Sequence, residues 1–396
     1  MLPLLDFGKQ PITNRFLASP DAVEGLFPLA LGQCEACGVV QLSEPPPAKE
    51  LKPKYDWITY TEPEAHLDHL ADILAALPGL GRVSNICGLS FKDDSLLERM
   101  KKRGFERVWR LDPGKDLGID GRGMGVETIQ DQLVPDVAKR LAHTYGKADL
   151  VILRHILEHA HHTITFMGAL KELVSPEGYL VIEVPDCRRA LEKYDYSTVW
   201  EEHTLYFTPD TFRQCFGVSG LCLVRFETFP YAMEDSLVGI GRQQHGMSPE
   251  FPSASTLEQE RRRMQAFCQE LDRCRSQFHA FLSDHRQMHG AVAMFGAGHL
   301  GCAWINLLGL KACIDFVVDD DPHKQGLFMA GSRLPIRSSR ALLENRISLC
   351  LLSVAPTNEG KVIENNQGFR EKGGIFLSIF PDSQCAFHKA AGFHRG

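Results

Sequence analysis

Four short strand-like segments constrain the fold of this chain more than any other feature. Residues 82–88, 107–112, 148–153 and 179–184 each read as a strand, and helical stretches separate them. Strands joined through helices pair in parallel, because only a long crossover returns the chain to the same edge of a sheet. The result is a sheet covered by helices on both faces. Ligands of such sheets bind beyond the carboxyl ends of the strands, where the strand order reverses. A second alternation of strands and helices begins at Gly290 and runs almost to the end. Between the two, Leu257, Met264, Phe267, Leu271, Phe278 and Phe281 recur at helical spacing, with no Gly or Pro from 254 to 289. That pattern predicts one long amphipathic helix. Residues 1–66 are rich in Pro and turn residues. The expected organisation is a small lobe (1–66), an α/β domain (67–245), a linker with the long helix (246–289) and a second α/β domain (290–396).

Charge and hydropathy exclude several classes of function. A net charge of −7 over 396 residues argues against a general nucleic-acid binder and against anionic membranes. No run of 18 apolar residues is present, so no spanning helix is expected. The opening Met1-Leu2-Pro3-Leu4-Leu5-Asp6 has neither a basic region nor a long apolar core, which points to a cytoplasmic protein. Its 12 scattered cysteines then read as reduced thiols, most of them in the core.

Four motifs carry chemistry. Glu202-His203 lies a few residues beyond the strand-like Val181-Ile182-Glu183-Val184-Pro185-Asp186, well placed for proton transfer between an imidazole and a ligand at a strand end. Cys34-Glu35-Ala36-Cys37 has the spacing of two zinc thiolates, but a tetrahedral site needs two further ligands. Gly296-Ala297-Gly298-His299-Leu300-Gly301 follows a strand, opens a helix and precedes Asp319. This context suits NAD or another phosphate-bearing ligand. His155-Ile156-Leu157-Glu158-His159 matches H-x-x-E-H of metalloproteases, yet it follows a strand of a parallel sheet, which that motif does not. His155, His161 and His162 read as a polar loop.

Taken together, Asp6–Leu17, Leu31–Leu42, Arg154–His159, Trp200–Phe207 and Ile314–Asp320 resemble, in order, segments of the sugar C-methyltransferases. Those enzymes use S-adenosylmethionine (SAM) on nucleotide-linked keto-deoxysugars, and their active-site stretch is close to Tyr-His-Glu-His-x-x-Tyr-Phe. The resemblance implies a SAM-methyltransferase-like Rossmann domain, a second, C-terminal Rossmann-like domain and a small N-terminal lobe. It implies His203 as the base, Glu202 as its orienting partner and His159 against the substrate oxygen that gains charge. Asn85, Cys87, Gly88, Asp93 and Asp112 fall where the family binds SAM, although its Glu-Ile-Gly turn is here Asn85-Ile86-Cys87 with about two residues inserted. Trp57 and Trp200 stand where the family has tyrosines. With Tyr60 and the turn residues Gly296, Gly298 and Gly301, they are the expected contacts to a nucleotide-sugar substrate. Glu234-Asp235-Ser236 replaces the family's Gly-Gly-Ser. The family's second cysteine pair has no counterpart, so Cys34 and Cys37 are expected to form a degenerate knuckle, with zinc as the alternative. Two other readings stay open at this point: an NAD-dependent nucleotide-sugar oxidoreductase or epimerase, and a non-catalytic homologue that has lost SAM binding.

Overall fold

The computed structural model describes residues 1–55, 57–58, 62–119, 125–243, 249–344 and 346–392. The chain forms two compact units. The first comprises Met1–Pro3, Leu31–Arg188 and Glu202–Arg261; the second comprises Leu4–Ala30, Arg189–Glu201 and Arg262–Gly396. The N-terminal strands are β1 (Leu2–Pro11), β2 (Leu26–Gln33) and β3 (Val40–Leu42). In the first unit, the end of β2 pairs antiparallel with β3 through Leu31–Leu42 and Gln33–Val40.

The body of the first unit is a six-stranded sheet. Its strands are β4 (Asn85–Gly88), β5 (Arg107–Arg110), β6 (Ala148–Arg154) and β7 (Val174–Pro185). A two-residue β8 (Leu205–Tyr206) pairs with β3 instead, and β9 (Leu221–Phe229) and β10 (Ser236–Gln243) complete the sheet. The order is β5-β4-β6-β7-β10-β9. Pairs from β5 to β7 are parallel, while β10 runs antiparallel to both β7 and β9. The chain leaves β4 toward β5 on one side and reaches β6 on the other, so the strand order reverses between β4 and β6. Their carboxyl ends, at Gly88 and Arg154, open the crevice where such sheets bind ligands.

Successive residues of each strand face opposite sides, and the core follows that alternation. Val151, Leu153, Leu180 and Ile182 pack with one cluster, while Leu150, Ile152, Val181 and Val238 pack with the other. Helix α1 (Leu67–Ala75) buries Leu67, Leu70, Ala71, Ile73 and Leu74 in the second cluster. Helix α2 (Thr163–Leu173) covers the first with Phe166, Met167, Leu170 and Leu173. At about 1.5–3 kcal/mol for each large apolar side chain buried, cover on both faces explains why Leu150–Leu153 and Leu180–Ile182 read as unbroken apolar runs. The first strand is shorter than the sequence suggests. Residues 82–84 stay in a turn, where the Ser84 hydroxyl accepts from Gly81 N at 3.0 Å.

The second unit holds a five-stranded parallel sheet in the order β13-β12-β11-β14-β15. Its strands are β11 (Ala291–Phe295), β12 (Phe316–Val318), β13 (Ile336–Arg337), β14 (Ile347–Leu352) and β15 (Ile375–Ser378). Helix α3 (Ala254–Met288) is 35 residues long. Within this unit it buries Met264, Phe267, Leu271, Cys274, Phe278 and Leu282, and the Phe278 ring meets Phe387 at 4.9 Å. Helix α4 (His299–Leu307) follows β11. Among the described residues no helix is long and apolar enough to cross a membrane.

Candidate active site

Charges inside apolar strands locate the site of the first unit. Arg154 ends β6 and Glu183 lies within β7, at 1% and 0% exposure. A lone buried charge costs several kcal/mol, so each must be paired and hydrogen-bonded. Arg154 Nε donates to Glu183 Oε2 at 2.6 Å, while its two terminal nitrogens donate to the carbonyls of Lys92 (2.8 Å) and Pro63 (2.9 Å). His155 follows with a left-handed φ of 51°, a conformation that costs a non-glycine residue about 1–3 kcal/mol and persists only where the surroundings fix it. Its N–H donates to Glu183 O at 2.9 Å. Its ring nitrogens lie 3.1 Å from Glu183 Oε1, 3.4 Å from Glu158 Oε1 and 3.6 Å from Glu62 Oε2.

Burial opposes a charge on His155, but Glu62, Glu158 and Glu183 outweigh it and push its pKa up to about 10. The expected polar-loop role of His155 is therefore corrected: it is a buried cation, because three carboxylates converge on it. Burial likewise pushes Glu183 up, yet His155, His66 and Arg154 hold it well below the usual carboxylate range. His66 Nε2 completes the cluster 3.3 Å from Glu183 Oε1, and Lys92 Nζ pairs with Glu62 at 2.6 Å.

The next turn, Leu157–His159, brings the histidine pair together. The rings of His159 and His203 meet edge to face with centroids 4.8 Å apart. His159 is buried and His203 half-buried. Burial, and then the neighbouring His203, hold the His159 pKa well below its usual value, so its ring is neutral. Its Nδ1 lies 2.9 Å from Glu202 O and 3.3 Å from Glu127 Oε1. A carbonyl only accepts, so Nδ1 carries the hydrogen and Nε2 is an acceptor. This revises the expected role of His159. A neutral ring in this tautomer does not donate from Nε2 to a developing oxyanion. Glu202, expected to orient His203, holds His159 through its backbone carbonyl. Single ligand-type atoms of Glu158, His159 and His203 lie within 4.8 Å of one another. No other group of three or more His, Cys, Asp or Glu among the described residues is as close.

The expected SAM turn divides into framework and crevice. Asn85 begins β4, at the end away from the crevice. Its amide donates to the carbonyls of Tyr145, Gly146 and Lys147 and accepts from Trp109 Nε1 at 2.8 Å. Cys87 is 1% exposed within the core. Both are thus corrected from cofactor contacts to framework, since their side chains are bonded or packed away from the strand ends. Asp93 is also framework: its carboxylate accepts from the N–H groups of Leu89 (2.7 Å), Ser90 (2.8 Å) and Arg154 (2.9 Å). Burial raises its pKa to about 7 in spite of those donors. A Cβ on Gly88 would lie 2.7 Å from Leu97 Cδ1 and 3.0 Å from Asp93 Cβ, so a larger residue there would displace the Leu97 side chain. Asp112 is exposed just beyond β5, with Oδ1 accepting from Lys115 N at 2.9 Å. Gly88 and Asp112 thus lie beside the crevice in positions that fit SAM, Asp112 suiting ribose hydroxyls, but Asp93 occupies two of the turn's backbone donors. Trp57 is half-buried, with its ring 4.8 Å from Tyr55; Tyr60 lies outside the described residues.

The remaining expected substrate contacts belong to the second unit. Trp200 is 7% exposed, its indole donates to Thr13 Oγ1 at 3.1 Å, and its ring stacks on His299 at 4.2 Å. Gly296 has a left-handed φ of 109°, and a Cβ there would meet Ser353 Oγ at 2.8 Å. A Cβ on Gly301 would lie 3.0 Å from Gly296 O, whereas Gly298 has open space beside it. Asp319 Oδ2 accepts from Ala297 N at 2.8 Å and pairs with Lys324 Nζ at 3.0 Å. The carboxylate that would hold an NAD ribose is bonded to the turn itself, which weakens the dinucleotide reading.

Cys34 and Cys37 form a tight knuckle between β2 and β3, with Gly38 N donating to Cys34 O at 2.9 Å. Burial pushes the Cys34 thiol up, but the N–H groups of Cys37 and Ala36 outweigh it and lower its pKa. Burial pushes Cys37 up to about 11. Among the described residues no third ligand joins them. They supply half of a tetrahedral zinc site and do not fit a complete one.

Sequence reasoning missed Glu62, Lys92, Glu127, Glu158 and the ion pair of Arg154 with Glu183. The available signal was a charge embedded in an apolar strand, as in Val181-Ile182-Glu183-Val184.

Three family models match in order. Residues 1–51 match a zinc binding domain, 70–225 a methyltransferase domain, and 253–381 a C-methyltransferase C-terminal domain. The C-methyltransferase NovU of Streptomyces niveus is 26% identical over 395 residues, covering 96% of this chain and 93% of NovU. Among solved structures, a 1,6-didemethyltoxoflavin-N1-methyltransferase of Burkholderia thailandensis is 16% identical, with a TM-score of 0.29 over 46% of this chain and 79% of its own. The CcbJ methyltransferase of Streptomyces caelestis is 13% identical, with a TM-score of 0.29 over 48% of this chain and 100% of its own. Neither superposition score is high enough to support a shared fold, which rests here on strand order and the sequence matches.

Proposed function

We propose that this chain is a member of the sugar C-methyltransferase family, as the three matched models and NovU support, and that it C-methylates a nucleotide-linked 4-keto-6-deoxysugar with SAM as methyl donor. The observation that carries this reading is the His159–His203 pair, 4.8 Å apart just beyond the carboxyl end of β6. A ketone acidifies the adjacent C3–H, and removal of that proton needs a base poised near neutral pH. His203 is half-buried and reachable, and it takes the proton. The imidazolium so formed then donates toward the enolate oxygen, placing positive charge beside negative charge. His159, held neutral by burial and fixed by Glu202 O, adds no second positive charge beside His203.

Gly88 and Asp112 are the residues assigned to SAM, which when bound supplies an electrophilic methyl group. In the second unit, taken by itself, the glycine turn at the N-terminus of α4 offers backbone N–H groups and a helix dipole that favour an anion.

Calorimetric titration of the full chain with SAM and S-adenosylhomocysteine tests the reading. Saturable binding of both is expected, and folded protein that binds neither would refute it. In His203→Ala, binding should persist while methyl transfer is lost.

A further inference from the structure

The two oxygens of Glu158, beside the histidine pair, have different surroundings. Oε1 faces the buried His155 cation at 3.4 Å. Oε2 is fully buried and has no hydrogen-bond partner among the described residues. The side chain as a whole is 2% exposed, and one of its oxygens lies within 4.8 Å of ligand-type ring nitrogens of both His159 and His203. Buried polar oxygens are almost always partnered, and leaving one without a partner costs about 1–3 kcal/mol. An unpartnered buried oxygen on a side chain beside a reacting centre marks a place for a group that arrives with a ligand.

The rest of the wall sharpens what that group must be. Glu158 oxygens accept, and His159 Nε2 accepts because its hydrogen is fixed on Nδ1. A carbonyl, ether or phosphate oxygen set against Glu158 and His159 Nε2, rather than against His203, would meet only acceptors. A hydroxyl or an ammonium would be bonded.

We propose that Glu158 is a substrate-binding residue that selects a sugar carrying a hydrogen-bond donor, a hydroxyl or an amine, on the methylated carbon or its neighbour. This rests on the reading of the His159–His203 pair as the site of C-methylation. The His155 cation holds one oxygen of Glu158 and leaves the other for the substrate. A site built to bond a donor discriminates strongly against the analogue lacking it, because its own buried acceptor is then left unpaired.

The test pairs substitutions with substrate analogues, using dTDP-4-keto-6-deoxyglucose and its 2-deoxy and 3-deoxy derivatives. In the wild type, removing the recognised hydroxyl should lower kcat/KM on the order of 10- to 100-fold, chiefly through KM. The derivative that shows the loss identifies the carbon. Glu158→Gln should lower kcat/KM for the parent sugar by a similar factor, but show little further loss with the sensitive analogue. SAM affinity, measured calorimetrically, should be unchanged. Glu158→Asp, which keeps the charge, should recover part of the discrimination.

Equal turnover of all three sugars by the wild type would overturn the proposal, and needs no variant to fold. So would Glu158→Gln discriminating among the sugars as the wild type does. SAM binding without methylation of any keto-sugar would instead overturn the C-methyltransferase reading on which the proposal rests.

Discussion

Substituting His155 by Asn tests the buried ion cluster most sharply. Asn tolerates the left-handed backbone at φ 51° better than most residues, so the change removes the cation without adding strain. Three carboxylate oxygens lie 3.1, 3.4 and 3.6 Å from the ring. At an effective dielectric of about 20 each contributes roughly 4–5 kcal/mol, and desolvation of the buried ring cancels most of that total. The net is visible in the pKa, which stands at about 10 against an ordinary 6.5. At about 1.4 kcal/mol per pH unit, the retained proton contributes roughly 4–5 kcal/mol to stability.

The sign follows from proton counting. Between those two values the folded state holds a proton that the unfolded state has lost, so this contribution is complete below about pH 6.5. It is then lost as pH rises toward 10, with a slope reaching about −1.4 kcal/mol per pH unit. Urea unfolding of wild type and His155→Asn at unit steps from pH 6 to 10 reads this directly. The stability difference should be largest at pH 6 and shrink across the series, with equal m-values. A difference that stays constant with pH would refute a charged His155.

Two further outcomes follow from the same structure. Glu183→Gln leaves Arg154 and His155 short of a buried counter-charge and should cost about 3–5 kcal/mol in urea unfolding; a loss below about 1 kcal/mol would mean that the cluster is not the buried, paired network described here. Purified protein should carry no stoichiometric zinc by elemental analysis, and Cys34→Ser should leave the unfolding midpoint nearly unchanged, whereas bound zinc lost in that variant would restore the complete metal site.

The fold was legible because it is written in periodicity. Unbroken apolar runs such as Leu150-Val151-Ile152-Leu153 are what a strand buried on both faces requires, and the long helix announced itself through Met264, Phe267, Leu271 and Phe278. The histidine pair was legible as residues, since His159 and His203 were both singled out, but not as chemistry. Which ring is neutral, and on which nitrogen it holds its hydrogen, depends on burial and on Glu202 O, a contact 43 residues away in sequence. Asn85, Cys87 and Asp93 were misread for a related reason. Motif alignment gives position along a strand turn, whereas side-chain direction is fixed by the partners: Trp109 and the 145–147 carbonyls for Asn85, the core for Cys87, and the turn's own N–H groups for Asp93. Glu158 was noted only as part of a protease-like string, because an unpartnered buried oxygen has no signature in sequence.

The central claim is that His203 removes a carbon-bound proton next to a ketone. It is tested by following the C3–H of dTDP-4-keto-6-deoxyglucose by proton NMR in D2O, with S-adenosylhomocysteine in place of SAM so that the methyl step cannot proceed. Wild-type protein should wash deuterium into C3, and His203→Ala, folded and still binding S-adenosylhomocysteine, should not. Exchange by the variant at the wild-type rate would contradict the assignment of His203 as the base.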